Sequence, residues 1–213
     1  MLKLSVSLAL NKADSLEELF ECMPEDIKTH SLNVAKYSRA LAKLFCENLW
    51  EELHLNAMFT ACKYHDIGKS VIPESILNKA GPLDESEMDI VKEHTRLGFE
   101  IISHYVRPNH ETFTGAEFEA MCKTARYHHE RVDGAGYPTG ITPPALPVIA
   151  RICAVADTFD AITSDRPYRK ADTRENALKV LCCVAGAQLD EKIVEIAVSP
   201  QNIAWTTAAG KWC

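Results

Sequence analysis

Histidine and aspartate side chains are the residues of this chain whose types and spacing could do chemistry. Eight of them lie where apolar helical stripes would turn them into one bundle: Asp26, His30, His65, Asp66, His94, His128, His129 and Asp157. Burying such polar groups costs free energy unless they are paired or ligated. Imidazole and carboxylate together suit iron, manganese, zinc and similar ions, whereas magnesium and calcium prefer oxygen. Because these ligands exceed the need of one ion, the pattern predicts two or three divalent ions, bridged by a carboxylate such as Asp66.

Each of these signals alone has a simpler structural interpretation. A lone histidine on an apolar helix face is more often a hydrogen-bonded core residue, and a pair such as His65-Asp66 arises easily by chance. Asp157 is less ordinary, because it lies in a hydrophobic segment where an unpaired charge is costly. The occurrence of all these residues on several inner faces favours a metal cluster over coincidence.

Two divalent ions a few ångströms apart favour in-line displacement at phosphorus, because they stabilise both the attacking and the leaving oxygen. A hydroxide bridging the ions would be the nucleophile, since metal binding lowers the pKa of water toward neutrality. Lys69 follows Asp66 by three residues, and three arginines lie near predicted helix ends: Arg131, Arg166 and Arg169. We expect Lys69, Arg166 and Arg169 to contact phosphate, whereas Arg131 is as consistent with a solvated surface residue.

Helical periodicity accounts for most of the chain, and no alternating strand pattern of useful length occurs. The spacing predicts helices over about residues 26–47, 50–66, 84–104, 117–130, 148–163 and 191–198. Gly68 is predicted to end the second of these, and residues 132–147 form a loop rich in glycine and proline. We therefore predict an all-α, single-domain helical bundle. Its parts are an N-terminal helical extension at 1–24, a catalytic domain at 25–198 and a loosely held C-terminal tail at 199–213.

Length and composition restrict the class of protein. The 213 residues are 46% hydrophobic and 25% charged, which is ordinary globular usage and excludes disordered and collagen-like classes. The formal net charge of −7 excludes long nucleic acid as a partner but not small anionic ligands. The eight cysteines contain no CxxC pair and are typical of reduced core thiols. Neither a signal peptide nor a run of about 18 apolar residues occurs, so we expect no membrane contact and a cytoplasmic location.

Several stretches of the sequence together resemble the HD-GYP family, a subgroup of the HD-superfamily metal-dependent phosphohydrolases. The first, at residues 65–69, reads HDIGK. The second, at residues 128–138, reads HHERVDGAGYP. The third consists of VADTFDA at 155–161 and SDRPYR at 164–169. The likeness extends from about residue 26 to residue 198.

The resemblance implies an HD-superfamily bundle and a bacterial phosphodiesterase that hydrolyses cyclic di-GMP to pGpG, GMP or both. It implies iron or manganese, bound by His30, His65, Asp66, His94, His128, His129 and Asp157. Members with a third ion use a glutamate one turn before the first histidine, where this chain has Asp26. Lys69 matches the family lysine near the scissile phosphate, and Asp66 and Lys69 are the expected catalytic residues. Tyr137 lies in the substrate-facing loop, and Arg166 and Arg169 match phosphate-contacting positions.

Two other functions stay open at this stage. Residues 186–190 (GAQLD) replace the family's usual GTxFDP-like stretch, which is compatible with a cyclic-dinucleotide-binding signalling module that has little turnover. The same ligand set also suits an HD phosphohydrolase acting on another nucleotide, such as cyclic GMP-AMP. The sequence contains no receiver or sensor segment, so we expect any regulator to be a separate protein or a part outside this sequence. A homodimer is also open.

Overall fold

The chain folds mainly into helices. The structure, a computed structural model, describes residues 6–45, 52–106, 113–165 and 170–210. Its α-helices are α1 (Val6–Leu10), α2 (Leu16–Glu21), α3 (Glu25–Phe45), α4 (Glu52–Lys63), α5 (Glu74–Leu77), α6 (Glu85–Tyr105), α7 (Gly115–Tyr127), α8 (Val148–Thr163), α9 (Arg174–Val184) and α10 (Glu191–Val198). Two 3-10 helices lie at Ile67–Val71 and Pro200–Thr207. No strand occurs within the described ranges, and the all-α prediction is confirmed.

Two hydrophobic cores position the site. One lies among α3, α4 and α8 and contains Tyr37 and Phe159, whose rings meet edge to face. The other lies among α4, α6 and α7 and contains Leu97, Ile101 and Met121. The predicted metal ligands lie on, or directly after, helices that line these two cores, so the packing of the cores sets how the ligands meet. Of the helices in the described ranges, none combines the length and the apolarity that crossing a bilayer requires.

The predicted helices 50–66 and 117–130 end earlier than the sequence suggested. Helix α4 ends at Lys63 and α7 at Tyr127, so that the pairs His65-Asp66 and His128-His129 follow the last helical turns. Successive side chains in an α-helix point about 100° apart. In both pairs, the two consecutive side chains nevertheless turn toward one site.

Gly68 does not end a helix, and that prediction is wrong. It lies inside the 3-10 helix Ile67–Val71, which packs on α6. A Cβ at this position would lie 2.0 Å from the carbonyl oxygen of His94 and 2.7 Å from the amide nitrogen of Gly98. Only glycine permits this approach. Gly68 therefore allows the segment that carries Asp66 to lie directly against the helix that carries His94.

Residues 199–210 are not loosely held, in contrast to the prediction, which covered residues 199–213. Within its described part, Trp205 of the 3-10 helix Pro200–Thr207 is 3% exposed. Its Nε1 donates to the carbonyl oxygen of Ala197 at 2.8 Å, and its ring packs on Tyr37 and Phe159. A buried aromatic ring with a satisfied N–H adds to the first core.

The N-terminal helices α1 and α2 pack against the 3-10 helix Ile67–Val71 and against α6. Lys12 Nζ donates to the carbonyl oxygen of Ser70 at 2.5 Å. Tyr105 donates its hydroxyl to the carbonyl oxygen of Ala13 at 2.7 Å. The segment predicted as an extension thus contacts the elements that carry the site, and the domain limits at 24 and 198 stay predictions.

Candidate metal centre

Seven of the eight predicted metal ligands meet in the structure. Among the described residues they form two groups, and the potential ligand atoms of each group all lie within 4.8 Å of one another. The first group is Asp66, His94, His128 and His129, and the second is His30, His65 and Asp157. Asp66 Oδ1 lies 3.3 Å from His94 Nε2, while Asp66 Oδ2 lies 3.4 Å from His65 Nε2. The carboxylate of Asp66 is thus shared between the two groups.

Backbone carbonyls orient three of these imidazoles. Each Nδ1 donates to a carbonyl oxygen three or four residues earlier: His65 to Cys62 at 2.7 Å, His94 to Val91 at 2.6 Å, and His128 to Thr124 at 2.9 Å. A carbonyl oxygen can only accept, so Nδ1 carries the proton of each neutral ring and Nε2 carries the lone pair. All three lone pairs are on the ring nitrogens nearest Asp66.

The inner face of the cluster holds acceptors that lack donors. Asp66 Oδ1 and His65 Nε2 are buried without a hydrogen-bond partner. The Nε2 atoms of His94 and His128 lie 3.3 Å apart. Converging lone pairs and a carboxylate repel one another unless a cation lies between them, and buried acceptors without partners are costly. The residues therefore fit divalent ions that take nitrogen and oxygen ligands, such as iron, manganese or zinc.

The surroundings keep Asp66 charged and its neighbouring imidazoles neutral. Burial raises the pKa of Asp66, but opposing effects, the largest of them the positive charge of Lys69, outweigh it and hold that pKa well below the ordinary value. Burial lowers the pKa of His65 to about 4 and the pKa of His94 to about 3. Ionised carboxylates and neutral imidazoles are the forms that bind metal ions. Asp66, His65 and His94 therefore present metal-binding protonation states near neutral pH.

His30 is held by a second carboxylate, Asp160, which the sequence prediction missed. His30 Nδ1 donates to Asp160 Oδ2 at 2.7 Å, and His30 Nε2 lies 3.0 Å from Asp157 Oδ1. Burial opposes protonation of His30, but its hydrogen bonds to Asp157 and Asp160 outweigh burial and raise its pKa. A carboxylate that accepts the second N–H of a ligating histidine fixes the ring orientation. The available signal was spacing, because Asp160 follows Asp157 by three residues and shares its helix face.

Lys69 and Asp26 lie at different distances from the cluster. Lys69 Nζ is 2.5 Å from Asp66 Oδ2, and its side chain is 20% exposed, so its ammonium group contacts the cluster and also reaches solvent. Asp26 lies in the first turn of α3, is exposed and belongs to neither ligand group. Its side chain borders two cavities beside the cluster.

Of the three predicted arginines, Arg131 lies among the described residues, where it pairs with a carboxylate of its own loop. Arg131 donates to Asp133 through Nε at 3.0 Å and through Nη2 at 2.6 Å, so its guanidinium group serves the loop in which both residues lie. It also borders the cavity lined by Tyr137. Arg166 and Arg169 lie outside the described residues, and their phosphate contacts stay predictions.

The loop after His129 folds back over it. The ring of Tyr137 stacks on the ring of His129, with 4.8 Å between centroids and 26° between planes. Tyr137 also donates its backbone N–H to the carbonyl oxygen of His129 at 3.2 Å. Gly136 permits this return, because a Cβ there would lie 2.4 Å from the backbone nitrogen of Arg131. The loop thus places a half-buried phenol directly beside a predicted metal ligand.

Glu130 holds the far side of the same loop, a role that the sequence prediction missed. Its carboxylate is 4% exposed and accepts from the backbone N–H of Thr139 at 2.7 Å and from that of Gly140 at 3.0 Å. The hydroxyl of Thr139 donates to it as well, at 2.7 Å. No spacing rule indicates this contact, because it depends on how the loop turns.

The family assignment agrees with this geometry. A family model described as HD domain matches residues 15–193. The chain belongs to the HD domain family. Its resemblance to the HD-GYP group is confirmed by relatives that are named cyclic di-GMP phosphodiesterases.

Two curated relatives illustrate the relationship. This HD domain is 43% identical over 145 residues to the cyclic di-GMP phosphodiesterase response regulator RpfG of Xanthomonas campestris pv. campestris, covering 68% of this chain and 36% of that protein. It is 34% identical over 169 residues to the 3'3'-cGAMP-specific phosphodiesterase 1 of Vibrio cholerae, covering 76% of this chain and 37% of that protein. The chain therefore spans little more than a third of the length of these relatives.

Solved structures show the same fold. The HD domain superposes on Bd1817, an HDG"Y"P protein from Bdellovibrio bacteriovorus, with a TM-score of 0.62 at 16% identity, over 91% of this chain and 58% of that one. It superposes on the HD domain of the L. monocytogenes phosphodiesterase PgpH in complex with cyclic di-AMP, with a TM-score of 0.58 at 18% identity, over 97% of this chain and 96% of that one. At these identities the likeness concerns the fold, and the prediction of an HD-type bundle is confirmed.

Proposed function

We propose that this HD domain is a metal-dependent phosphodiesterase that hydrolyses cyclic di-GMP. The observation that carries the proposal is the carboxylate of Asp66, which is shared between two groups of buried ligands. A shared carboxylate suits a pair of ions that act on one phosphate. The names of the relatives, among them cyclic di-GMP phosphodiesterases, support this substrate class.

The two groups favour two ions, and we propose iron or manganese. When bound, such ions neutralise phosphate charge and activate water. A third ion would need a further carboxylate, and Asp26 is the candidate that the sequence offers. Because Asp26 is exposed and lies outside both groups, the arrangement favours two ions over three.

The residues of the chain have separate tasks in this reaction. Lys69 keeps its ammonium group beside Asp66 and partly open to solvent, so it can contact a non-bridging phosphate oxygen. Tyr137 closes one side of the cluster by stacking on His129 and offers its hydroxyl to the substrate. Asp160 holds His30 in place through Nδ1. Hydrolysis of one P–O bond consumes one water and opens the ring to pGpG, and a second hydrolysis yields GMP.

Cyclic GMP-AMP is the second candidate substrate. The observation that favours it is the presence of several 3'3'-cGAMP-specific phosphodiesterases from Vibrio cholerae among the relatives, at 29–34% identity. Both molecules present the same diester to the metal centre, so the reaction would be unchanged and only the bases would differ.

The test combines metal analysis with turnover. Protein purified anaerobically is expected to contain about two ions per chain and to convert cyclic di-GMP to pGpG or GMP under reducing conditions. The variant Asp66→Ala is expected to lose bound metal and to lose at least about a hundredfold in turnover, because both groups share this ligand. Asp89→Ala, which removes an exposed aspartate from α6, is the matched control and should behave like the wild type.

Two outcomes would contradict the proposal. Metal-loaded wild-type protein that binds cyclic di-GMP without product would favour a signalling module instead. Retention of full turnover by Asp66→Ala would contradict the shared role of its carboxylate.

A further inference from the structure

A cavity of about 600 Å³ opens beside the metal centre between α6 and the turn that precedes it. Lys69, whose ammonium group contacts Asp66, lines this cavity, so the cavity lies next to the cluster. Its walls are mainly apolar and include Leu77, Leu83 and Val91, all half-buried. Small-molecule sites are typically about 300–1,000 Å³ in volume, with apolar walls and a few polar groups.

An exposed methionine marks the same cavity. Among the described residues, three large hydrophobic side chains are about 40% exposed, namely Leu8, Met88 and Val180. Met88 lines the cavity beside Lys69, and Val180 lines the separate cavity that contains Tyr137. Met88 and Val180 therefore each line a cavity beside the metal centre. Methionine adapts well to flat aromatic ligands through its polarisable sulfur.

The wall of this cavity is preformed. Lys79 in the turn forms an ion pair with Glu87 of α6. Asp84 and Glu87 form a capping box, in which Asp84 Oδ1 accepts from the backbone N–H of Glu87 at 2.9 Å and Glu87 Oε2 accepts from that of Asp84 at 2.8 Å. These contacts hold the turn against the helix start, so a ligand would meet a shaped surface. Asn78 lies exposed at the rim and can both donate and accept hydrogen bonds.

We propose that this cavity receives one nucleobase of the cyclic dinucleotide while the adjoining phosphodiester lies at the metal centre. The inference rests on the proposed function and adds the place of a base to it. A nucleobase has two apolar faces and a polar edge, which match the apolar walls and the rim at Asn78. Lys69 connects the two parts, because it contacts the cluster and also lines the cavity.

The test compares two diesters in matched variants. Met88→Ala removes the exposed side chain from the cavity, and Leu8→Ala removes an equally exposed side chain from α1, outside the lining residues. For cyclic di-GMP we expect KM to rise about three- to tenfold in Met88→Ala, the lower end of the effect of a lost apolar pocket contact. KM should be unchanged in Leu8→Ala. For bis(p-nitrophenyl) phosphate, which has no nucleobase, kcat/KM should be unchanged in both.

A second variant fills the cavity instead. Ala80 is exposed in the turn and lines the cavity, so Ala80→Trp adds bulk without disturbing a core. It should raise KM for cyclic di-GMP at least about tenfold and leave the metal content and the turnover of the small diester unaffected. Wild-type KM values for cyclic di-GMP in both Met88→Ala and Ala80→Trp would refute the base site alone. Absence of wild-type turnover of cyclic di-GMP and cyclic GMP-AMP would instead refute the proposed function.

Discussion

Replacing Glu130 by glutamine, Glu130→Gln, tests how the loop that carries Tyr137 is held. The wild-type carboxylate is buried and accepts from two consecutive backbone amides and one hydroxyl, those of Thr139 and Gly140. Glutamine offers one carbonyl oxygen, and its amino group would face the N–H of Gly140, donor against donor. The substitution therefore keeps the volume of the side chain and removes its charge and one acceptor.

The magnitude follows from these three bonds. A hydrogen bond to a charged group contributes about 1.5–3 kcal/mol, against about 0.5–1.5 kcal/mol between neutral groups. Weakening three bonds that share one carboxylate should lower the free energy of local opening of the loop by about 2–3 kcal/mol. Since about 1.4 kcal/mol is a factor of ten, the protection of the Thr139 and Gly140 amides against hydrogen exchange should fall about 30- to 150-fold.

The assay is hydrogen exchange followed by mass spectrometry on peptides from residues 131–147. Metal content should be unchanged, because Glu130 belongs to neither ligand group. The control is Glu119→Gln, which neutralises an exposed glutamate on α7 that is paired with Lys123. In a Tyr137→Ala background, Glu130→Gln should cause little further loss of turnover, because both changes act through the same loop. Unchanged protection of the two amides in a folded variant would refute the reasoning.

Three further predictions concern other contacts. Asp160→Asn should weaken metal binding about 10- to 100-fold in chelator competition, because His30 loses its charged partner; unchanged affinity would contradict this. Trp205→Ala should lower the free energy of unfolding in urea by about 3–5 kcal/mol, since the ring is buried; a loss below about 1 kcal/mol would contradict its place in the core. Burial raises the pKa of Glu17, but its hydrogen bond to Lys63 helps to outweigh this and lowers the pKa below 4.5. The ionised side chain of Glu17 therefore stabilises the folded state above that pH, and this stabilisation disappears as the pH falls through the lowered pKa. Glu17→Gln should lower the free energy of unfolding by about 0.5 kcal/mol at neutral pH for this partly exposed pair, and a difference that persists in strong acid would contradict this.

The order of the long helices, and the seven histidines and aspartates that meet in the structure, could be predicted from the sequence. Helical periodicity is a local property, so an apolar stripe around His94 or Asp157 shows which face of a helix turns inward. The chemistry of the clustered side chains then indicates metal ions, because few other partners satisfy several buried imidazoles and carboxylates at once. The family resemblance rests on the same residues.

The tertiary structure decided the contacts that join distant segments. Asp160 becomes the partner of His30 because α8 packs on α3. Gly68 marks a close approach to α6 and not a helix end. Trp205 is buried because the last described segment returns to the first core, and Asp26 stays exposed although it lies one turn from His30. Local sequence determines which face of an element is apolar, whereas the distance between two elements depends on the packing of all the others, and that is why only the folded chain reveals these roles.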